Sequence, residues 1–481
     1  MIRFLLNRQP VTLTDCAPEM TILEYLRTKA VQRGTKEGCA SGDCGACTVV
    51  VVEPEGDRLH YSSLNSCISL LGSLHGKQLL TVEHLADNGQ LHPVQQALVD
   101  LHASQCGFCT PGFVMSLFAL YKNIDQPDRA AVERALSGNL CRCTGYRPII
   151  DAALSLAGRG GQDQFSAQEA DTLMQLQQLR QETPTGSLQV ADRHFFAPTS
   201  LDELEGLLAR FPEARLLAGG TDLALEITQQ LKRPQVLVYT GNVAELNGLS
   251  VEDDQLEVGA AVSYSRLEPL LAQHLPPFAE LLNRLGSLQI RNRGTLAGNV
   301  ANASPIGDTP PVLLALGATL RMRCQGKSEE IPVDSFFTGY RQTRLPAQGF
   351  IERIHIPLQP QRRLSVYKVS KRLDDDISAV CAAFSLQLEQ GVVVDARLGF
   401  GGMAATPARA IRAEQALIGQ PFTEAGIRAA QQALAQDFSP IDDVRASGAY
   451  RLQVARNLLL RAVLEQAADP VEQALEVVHY A

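Results

Sequence analysis

Eight of the eleven cysteines fall into two sets of four, the number of thiolates that one iron–sulfur centre needs. Cys39, Cys44, Cys47 and Cys67 read C-x4-C-x2-C with a fourth cysteine after nineteen more residues, which is the plant-type [2Fe–2S] spacing. Three of them lie in a loop, Gly34 to Thr48, that also carries Gly38, Gly42 and Gly45. A backbone that bends tightly around a cluster, with N–H groups aimed at sulfur, favours residues without a Cβ. Cys106, Cys109, Cys141 and Cys143 form a C-x2-C and a C-x-C thirty-one residues apart, and neither half holds a cluster alone.

Four cysteines can also bind structural zinc. Zinc sites usually pair C-x2-C with a second C-x2-C or with histidines, so the asymmetric first set argues against zinc, while the second leaves it open as the alternative. Disulfides are a weaker reading. The apolar run Phe4 to Leu6 is far too short for a secretion signal, so the expected compartment is reducing. Cys16, Cys324 and Cys381 stand alone and read as ordinary buried thiols.

A chain of 481 residues has room for about three to four domains. Its net charge is −9 and it has no basic run, so no nucleic-acid partner is expected. The most apolar stretch, Val312 to Leu320, contains Gly317 and stops at Arg321, well short of the roughly twenty residues of a membrane span. The expectation is therefore no membrane association and a cytoplasmic location.

Residues 1–84 read as short strands (Ile2 to Leu6, Val11 to Leu13, Thr48 to Val52) with a helix at Thr21 to Lys29, a pattern that suits a β-grasp ferredoxin fold. From 85 to 157 the period is helical. Thr110 reads as an N-cap before Pro111, further helices are expected at Pro127 to Leu136 and from Arg147, and the second cysteine set lies at helix ends. Residues 158–190 read as a polar linker holding at most one exposed helix. The composition then turns to α/β from 191 to 360, with strands at Ala214 to Ala218, Val236 to Thr240 and Leu256 to Ala261. Region 361–481 reads as strands followed by helices.

Two segments suit a phosphate-bearing cofactor. Leu216-Leu217-Ala218-Gly219-Gly220-Thr221-Asp222-Leu223 runs from a strand through a Gly-Gly turn into a helix start, so backbone N–H groups can point at a pyrophosphate. Arg293 to Asp308 is a long run of small and polar residues that packs poorly as core. Taken alone, the Gly-Gly turn is as readily structural as functional. A third segment, Gly399-Phe400-Gly401-Gly402-Met403-Ala404, matches the G-x-G-x-x-A fingerprint, but Thr406-Pro407 delays any helix and no acid-ended strand follows, which argues against a Rossmann site.

The two cysteine sets, with Cys106-Gly107-Phe108-Cys109-Thr110-Pro111-Gly112, Cys141-Arg142-Cys143-Thr144-Gly145-Tyr146, Gly219-Gly220-Thr221-Asp222 and Ala303-Ser304-Pro305, together resemble the molybdenum hydroxylases. Within that family, the order of two cluster domains and a flavin domain in one chain is similar to the small subunit of the bacterial xanthine dehydrogenases. The resemblance implies a multidomain α+β chain. It would comprise a β-grasp 2Fe-2S ferredoxin-like domain, a helical 2Fe-2S domain, an FAD-binding domain of the vanillyl-alcohol-oxidase (PCMH) type, and a small α+β C-terminal domain like that of CO dehydrogenase flavoproteins.

It further implies that Leu216 to Leu223 wrap the FAD pyrophosphate and that Thr295, Gly298, Asn299 and Asp308 bind phosphates and polar groups. Leu285 and Ile351 would pack on the flavin, although the family carries an aromatic residue at the Leu285 position. Lys368 matches a flavin-contacting lysine, Asp374 or Asp375 falls in an acidic segment near the nicotinamide side, and Gln105 matches a glutamine that touches the pterin. The function implied is transfer of electrons from a molybdopterin site in a large partner subunit, through two [2Fe–2S] clusters, to FAD and on to NAD. The reaction would be oxidation of hypoxanthine and xanthine to urate in a heterotetramer of two small and two large subunits, with no acid or base catalyst in this chain. A carbon monoxide dehydrogenase or an aromatic-heterocycle hydroxylase is the alternative.

Overall fold

Five consecutive valine and threonine residues, Thr48 to Val52, are buried on both faces of one strand, which places that strand between two cores. In the structure, a computed structural model describing residues 1–159 and 163–467, Val50 and Val52 point into one core while Val49 and Val51 point into the other. The chain gathers into two compact units. The first comprises Met1–Asn247, Ala261–Arg266 and Gly286–Thr295; the second comprises Gly248–Ala260, Leu267–Leu285 and the chain from Leu296 onward.

In the first unit the strand Thr48–Glu55 belongs to a five-stranded mixed sheet, in the order Gln9–Leu13, Ile2–Leu6, Gln78–Leu80, Thr48–Glu55, Arg58–Asn65. Strands Ile2–Leu6 and Gln78–Leu80 run parallel and the other pairs antiparallel, with helix Ile22–Thr28 against the sheet, as a β-grasp requires. On one face the helices Pro93–Asp100, Thr110–Asn123, Arg129–Leu136 and Arg147–Leu154 bury Val94, Phe113, Phe118, Val132 and Ile149. On the other face lies a four-stranded sheet in the order Gly186–Val190, Arg193–Ala197, Val236–Tyr239, Arg215–Leu217, which contributes Leu188, Phe195, Leu217 and Leu237 to the second core.

Two local expectations are corrected. Thr110 does not cap its helix: Cys109 is the cap residue and the Thr110 hydroxyl instead pairs with Ser104 Oγ at 2.7 Å. The helix expected in 158–190 is Glu169–Glu182, but it is not exposed all round. Leu176 and Leu179 are buried, so the polar composition marks only its outer face. Gly186–Val190 pairs with Arg193–Ala197 instead of serving as linker. Residues 160–162 of the expected linker, and 468–481 of the last region, lie outside the described residues.

The second unit holds two antiparallel sheets. One runs Leu249–Glu252, Gln255–Gly259, Phe350–Pro357, Thr319–Cys324, Lys327–Pro332; the other runs Arg362–Val369, Val380–Glu389, Val392–Gly401, Ala408–Arg409. Helix Thr309–Leu316 is buried on every side, which accounts for its unbroken apolar sequence. Helices Ile411–Leu417, Arg428–Asp437 and Gly448–Ala467 share a core with the second sheet through Phe384, Leu398, Leu417 and Leu434. The Gly399 to Ala404 fingerprint leads into an antiparallel strand and not a helix, and a Cβ on Gly399 would overlap the Pro311 carbonyl, so its glycines serve packing. Among the described residues no helix is long and apolar enough to cross a membrane.

Candidate functional site

Four thiols meet around the glycine loop of the first unit. Cys47 Sγ lies 3.3 Å from Cys67 Sγ, and Cys39 hydrogen-bonds with both Cys44 and Cys67. The backbone N–H groups of Ser41 and Asp43 point at Cys39 Sγ at 3.4 and 3.3 Å. That aim depends on a loop with Gly42 at φ 85° and Gly45 at φ 69°, a region costly for any residue with a Cβ. The neighbouring thiols Cys44 and Cys67 push the Cys39 thiol down, and Cys67 does the same for Cys47, while Cys44 and Cys67 are themselves pushed up. Thiols coupled in this way surround one small volume.

The second set also comes in pairs. Cys109 hydrogen-bonds with Cys141, and Cys106 with Cys143. Burial first, then Cys141, pushes Cys109 up to about 12. Burial acts to raise Cys141, but the Thr144 hydroxyl and N–H, at 3.1 and 3.4 Å from its sulfur, outweigh it and bring it below its ordinary value. Gln105 donates to the Cys143 carbonyl at 3.1 Å, and Cys106 and Cys143 are exposed.

Four thiols converge in each set, the number that one [2Fe–2S] cluster takes, so the donors present fit two such clusters.

A buried polar network that sequence reading missed ties the two sets together. Asn139 donates to the Gly45 carbonyl at 3.2 Å and accepts from Ser116 at 2.6 Å and from Gln289 at 2.9 Å. Gln289 also reaches Thr48 Oγ1 at 3.3 Å. The Leu140 N–H donates to the Cys44 carbonyl at 3.0 Å, one residue before Cys141. A Cβ on Gly112 or Gly45 would overlap backbone of the opposite segment, so both glycines mark the close approach. The adjacency of Asn139 to Cys141 was a usable signal; Gln289, 150 positions away from Asn139, carried none.

The Leu216 to Leu223 segment also lies in the first unit. Strand Arg215–Leu217 ends in the Gly219-Gly220 turn, with Gly220 at φ 77°, and helix Leu223–Thr228 follows. None of the N–H groups of Gly219, Gly220, Thr221 or Asp222 donates to an acceptor among the described residues. Such a row of open donors suits an anion. A cavity of about 510 Å³, within the range of cofactor sites, opens beside it and is lined by Ala218, Thr295, Ser263, Tyr239 and Arg293. The turn stands next to the residue after Cys67: a Cβ on Gly220 would lie 3.8 Å from the Ile68 carbonyl oxygen.

The remaining flavin candidates lie in the second unit. Lys368 Nζ is 2.6 Å from Asp308 Oδ2, and Ser378 Oγ donates to Asp308 Oδ1 at 2.5 Å. Asp308 is thus neutralised by Lys368 and held in one orientation, so it offers a fixed acceptor and no free negative charge. Cys381 donates to the Asp308 carbonyl at 3.4 Å, and burial, reinforced by Asp308, pushes that thiol well up. Asn299 accepts from Thr309 at 2.6 Å, Gly298 is exposed, Ile351 is buried and Leu285 half-buried. Asp374 is exposed, whereas Asp375 is half-buried with φ 52°. Within the first unit, the open N–H groups of the turn and the neighbouring cavity are donors and space of the kind FAD requires.

Four family models match the chain. They are a 2Fe-2S iron-sulfur cluster binding domain over residues 4–71, a [2Fe-2S] binding domain over 81–154, an FAD binding domain in molybdopterin dehydrogenase over 188–359, and a CO dehydrogenase flavoprotein C-terminal domain over 365–466. Xanthine dehydrogenase of Emericella nidulans is 37% identical over 91% of this chain and 36% of its own length. Nicotinate hydroxylase hnxS of the same organism is 30% identical over 96% of this chain and 40% of its own. Among solved structures, a chain of quinoline 2-oxidoreductase from Pseudomonas putida 86 is 30% identical with a TM-score of 0.53, covering 56% of this chain and 95% of that one. A chain of carbon monoxide dehydrogenase from Hydrogenophaga pseudoflava is 28% identical at the same score, covering 56% and 94%. The chain therefore belongs to the molybdenum hydroxylase family and carries its two iron–sulfur domains and its FAD-binding domain. It spans between 36% and 40% of the length of the curated relatives named here.

Proposed function

We propose that this chain is the iron–sulfur and FAD subunit of a cytoplasmic xanthine dehydrogenase, working with a large molybdopterin-binding subunit in a two-plus-two heterotetramer and using NAD as acceptor. The observation that carries this reading is the convergence of Cys39, Cys44, Cys47 and Cys67 within hydrogen-bond reach of one another, one residue from the Gly219-Gly220 turn through Ile68. Relatives named xanthine dehydrogenase are 37% and 33% identical over 91% and 96% of the chain, against 30% for the nicotinate hydroxylase, which favours this member of the family. The two solved chains compared above match only 56% of it.

When bound, the two clusters supply one-electron carriage and FAD supplies exchange between single electrons and a hydride pair. The chain's own residues hold and tune. Cys39, Cys44, Cys47 and Cys67 take one cluster, with the Ser41 and Asp43 N–H groups placed to stabilise negative charge on sulfur. Cys106, Cys109, Cys141 and Cys143 take the other, with Thr144 in the same role. The Thr295 region and the open N–H groups of Gly219 to Asp222 receive the FAD pyrophosphate, and Asp308, oriented by Lys368 and Ser378, receives a polar group of the cofactor. No side chain here needs to move a proton to the purine, which belongs to the partner.

The nicotinate hydroxylase match over 96% of the chain supports a second reading, an aromatic-heterocycle hydroxylase with the same electron-transfer subunit. Purification of the complex, followed by assay with xanthine, hypoxanthine and nicotinate against NAD, separates them. Xanthine-dependent NAD reduction is expected, with none from this chain alone. Turnover of nicotinate but not xanthine would select the second reading, and xanthine oxidation by this chain alone would refute the division of labour.

A further inference from the structure

Four side chains from four separated stretches of the first unit meet in a line. Glu53 lies on strand Thr48–Glu55 and Lys77 directly before strand Gln78–Leu80, side by side because Val52 pairs with Gln78. Lys77 Nζ is 2.5 Å from Glu53 Oε1 and 3.1 Å from Tyr239 Oη. Arg293 donates to the same phenol oxygen at 3.2 Å, while its Nε is buried with no partner among the described residues. Lys77 and Tyr239 are each 3% exposed, so this line is not a solvated surface pair. Burial acts to raise the Glu53 carboxyl, but Lys77 and Arg293 outweigh it and hold it at about 2.

Two of the four, Tyr239 and Arg293, also flank the phosphate turn. Tyr239 pairs in parallel register with Leu217, and the Thr240 N–H donates to the Leu217 carbonyl at 2.9 Å, fixing the strand that enters the turn. Arg293 backs the turn directly: a Cβ on Gly219 would overlap its carbonyl, so the two backbones touch. Neither Glu53 nor Lys77 is near enough in sequence to act on the turn locally. They act on it through one oxygen. Buried charges add little net stability over well-packed apolar groups, but two cationic donors on one acceptor fix distances that apolar packing leaves loose.

We propose that Glu53, Lys77, Tyr239 and Arg293 are positioning residues for FAD, clamping the Gly219-Gly220 turn from the ferredoxin-like domain so that FAD affinity depends on side chains of the iron–sulfur domain. The proposal rests on the reading of that turn as the FAD pyrophosphate site.

Tyr239→Phe in the full chain removes the one shared oxygen and keeps the ring. Deflavinated protein is titrated with FAD by flavin fluorescence, and the two reduced-cluster paramagnetic signals report whether the iron–sulfur domains are intact. The expected result is an FAD dissociation constant raised about tenfold or more, the size of losing a hydrogen bond to a charged group, with both cluster signals unchanged. Lys77→Met should weaken FAD similarly from the other domain, and Lys77→Arg, which keeps the cation, should restore most of the affinity. An unchanged dissociation constant in Tyr239→Phe with both cluster signals present overturns the proposal. So does a Lys77→Arg variant that binds FAD no better than Lys77→Met, and this pair decides if Tyr239→Phe loses its cluster signals. Failure of the unaltered chain to bind FAD would instead strike the reading of the turn itself, and the proposal with it.

Discussion

Gly220→Val separates a phosphate cradle from an ordinary turn because the structure divides its effect cleanly between conformation and space. Gly220 stands at φ 77°, and a Cβ there would meet only Leu217 Cδ1 at 3.0 Å and the Ile68 carbonyl oxygen at 3.8 Å. The flexible leucine end can give way, so packing does not forbid the valine. Conformation does. The left-handed region costs an ordinary residue about 1–2 kcal/mol, and a β-branched one is an outlier there. The turn therefore relaxes toward negative φ, which swings the N–H groups of Gly220 and Thr221 away from their common direction. Losing two hydrogen bonds to a charged phosphate, at about 1.5–3 kcal/mol each, weakens FAD by a factor on the order of 100 to 10,000. The desalted variant should carry full iron and little FAD, measured as acid-released flavin per iron. Gly219→Ala is a poor substitute for this test, since its Cβ would overlap the Arg293 backbone and damage the fold itself. Stoichiometric FAD in Gly220→Val would show that the turn is merely structural.

The purified chain should hold about four irons and about four acid-labile sulfides, and zinc at either cysteine set would defeat the cluster assignment there. Cys44→Ser should remove one reduced-cluster paramagnetic signal and Cys109→Ser the other; loss of both signals from either change would mean that the cysteines are wrongly grouped. Glu53 carries a pH dependence of definite sign. Its folded value of about 2 lies below the ordinary 4.5, so its contribution is fully present above about pH 4.5 and fades as pH falls toward 2. Denaturant unfolding followed by circular dichroism between pH 5 and 3 should show a smaller acid-side loss in Glu53→Gln than in the unaltered chain, and equal slopes would rule out the half-buried Glu53–Lys77 pair as its source.

What the sequence made legible follows from how local each signal is. The convergence of each cysteine set was readable because the spacing is itself the chemistry. Glu169–Glu182 was misjudged because a helix that buries only Leu176 and Leu179 has the composition of a linker. Thr110 was misplaced as a cap because the chain turns into its helix already at Cys109, in a segment where the cysteines, and not the capping side chain, set the backbone. Tertiary partners with no sequence motif, such as Gln289, Ser378 and Tyr239, were out of reach: each acquires its role from a residue at least 70 positions away.

Those long-range partners have a common logic. An electron-transfer chain depends on distances, and distances between domains are not set by the ligands that define each centre. Here the fixing is done by polar groups buried between the segments that carry the candidate ligands: Asn139 and Gln289 between the two cysteine sets, and Tyr239 with Lys77 between the ferredoxin-like sheet and the phosphate turn. An apolar interface would hold these segments together as firmly, but it would tolerate small slides, because apolar contacts have no preferred direction. Hydrogen bonds buried away from water do not tolerate them, since each slide strands a donor. Asn139→Leu tests this apart from stability. It keeps the bulk while removing the bonds to Gly45, Ser116 and Gln289, and should leave both clusters assembled while changing the magnetic coupling between their reduced signals. Unaltered coupling would mean that the glycine contacts at Gly45 and Gly112 fix the spacing alone.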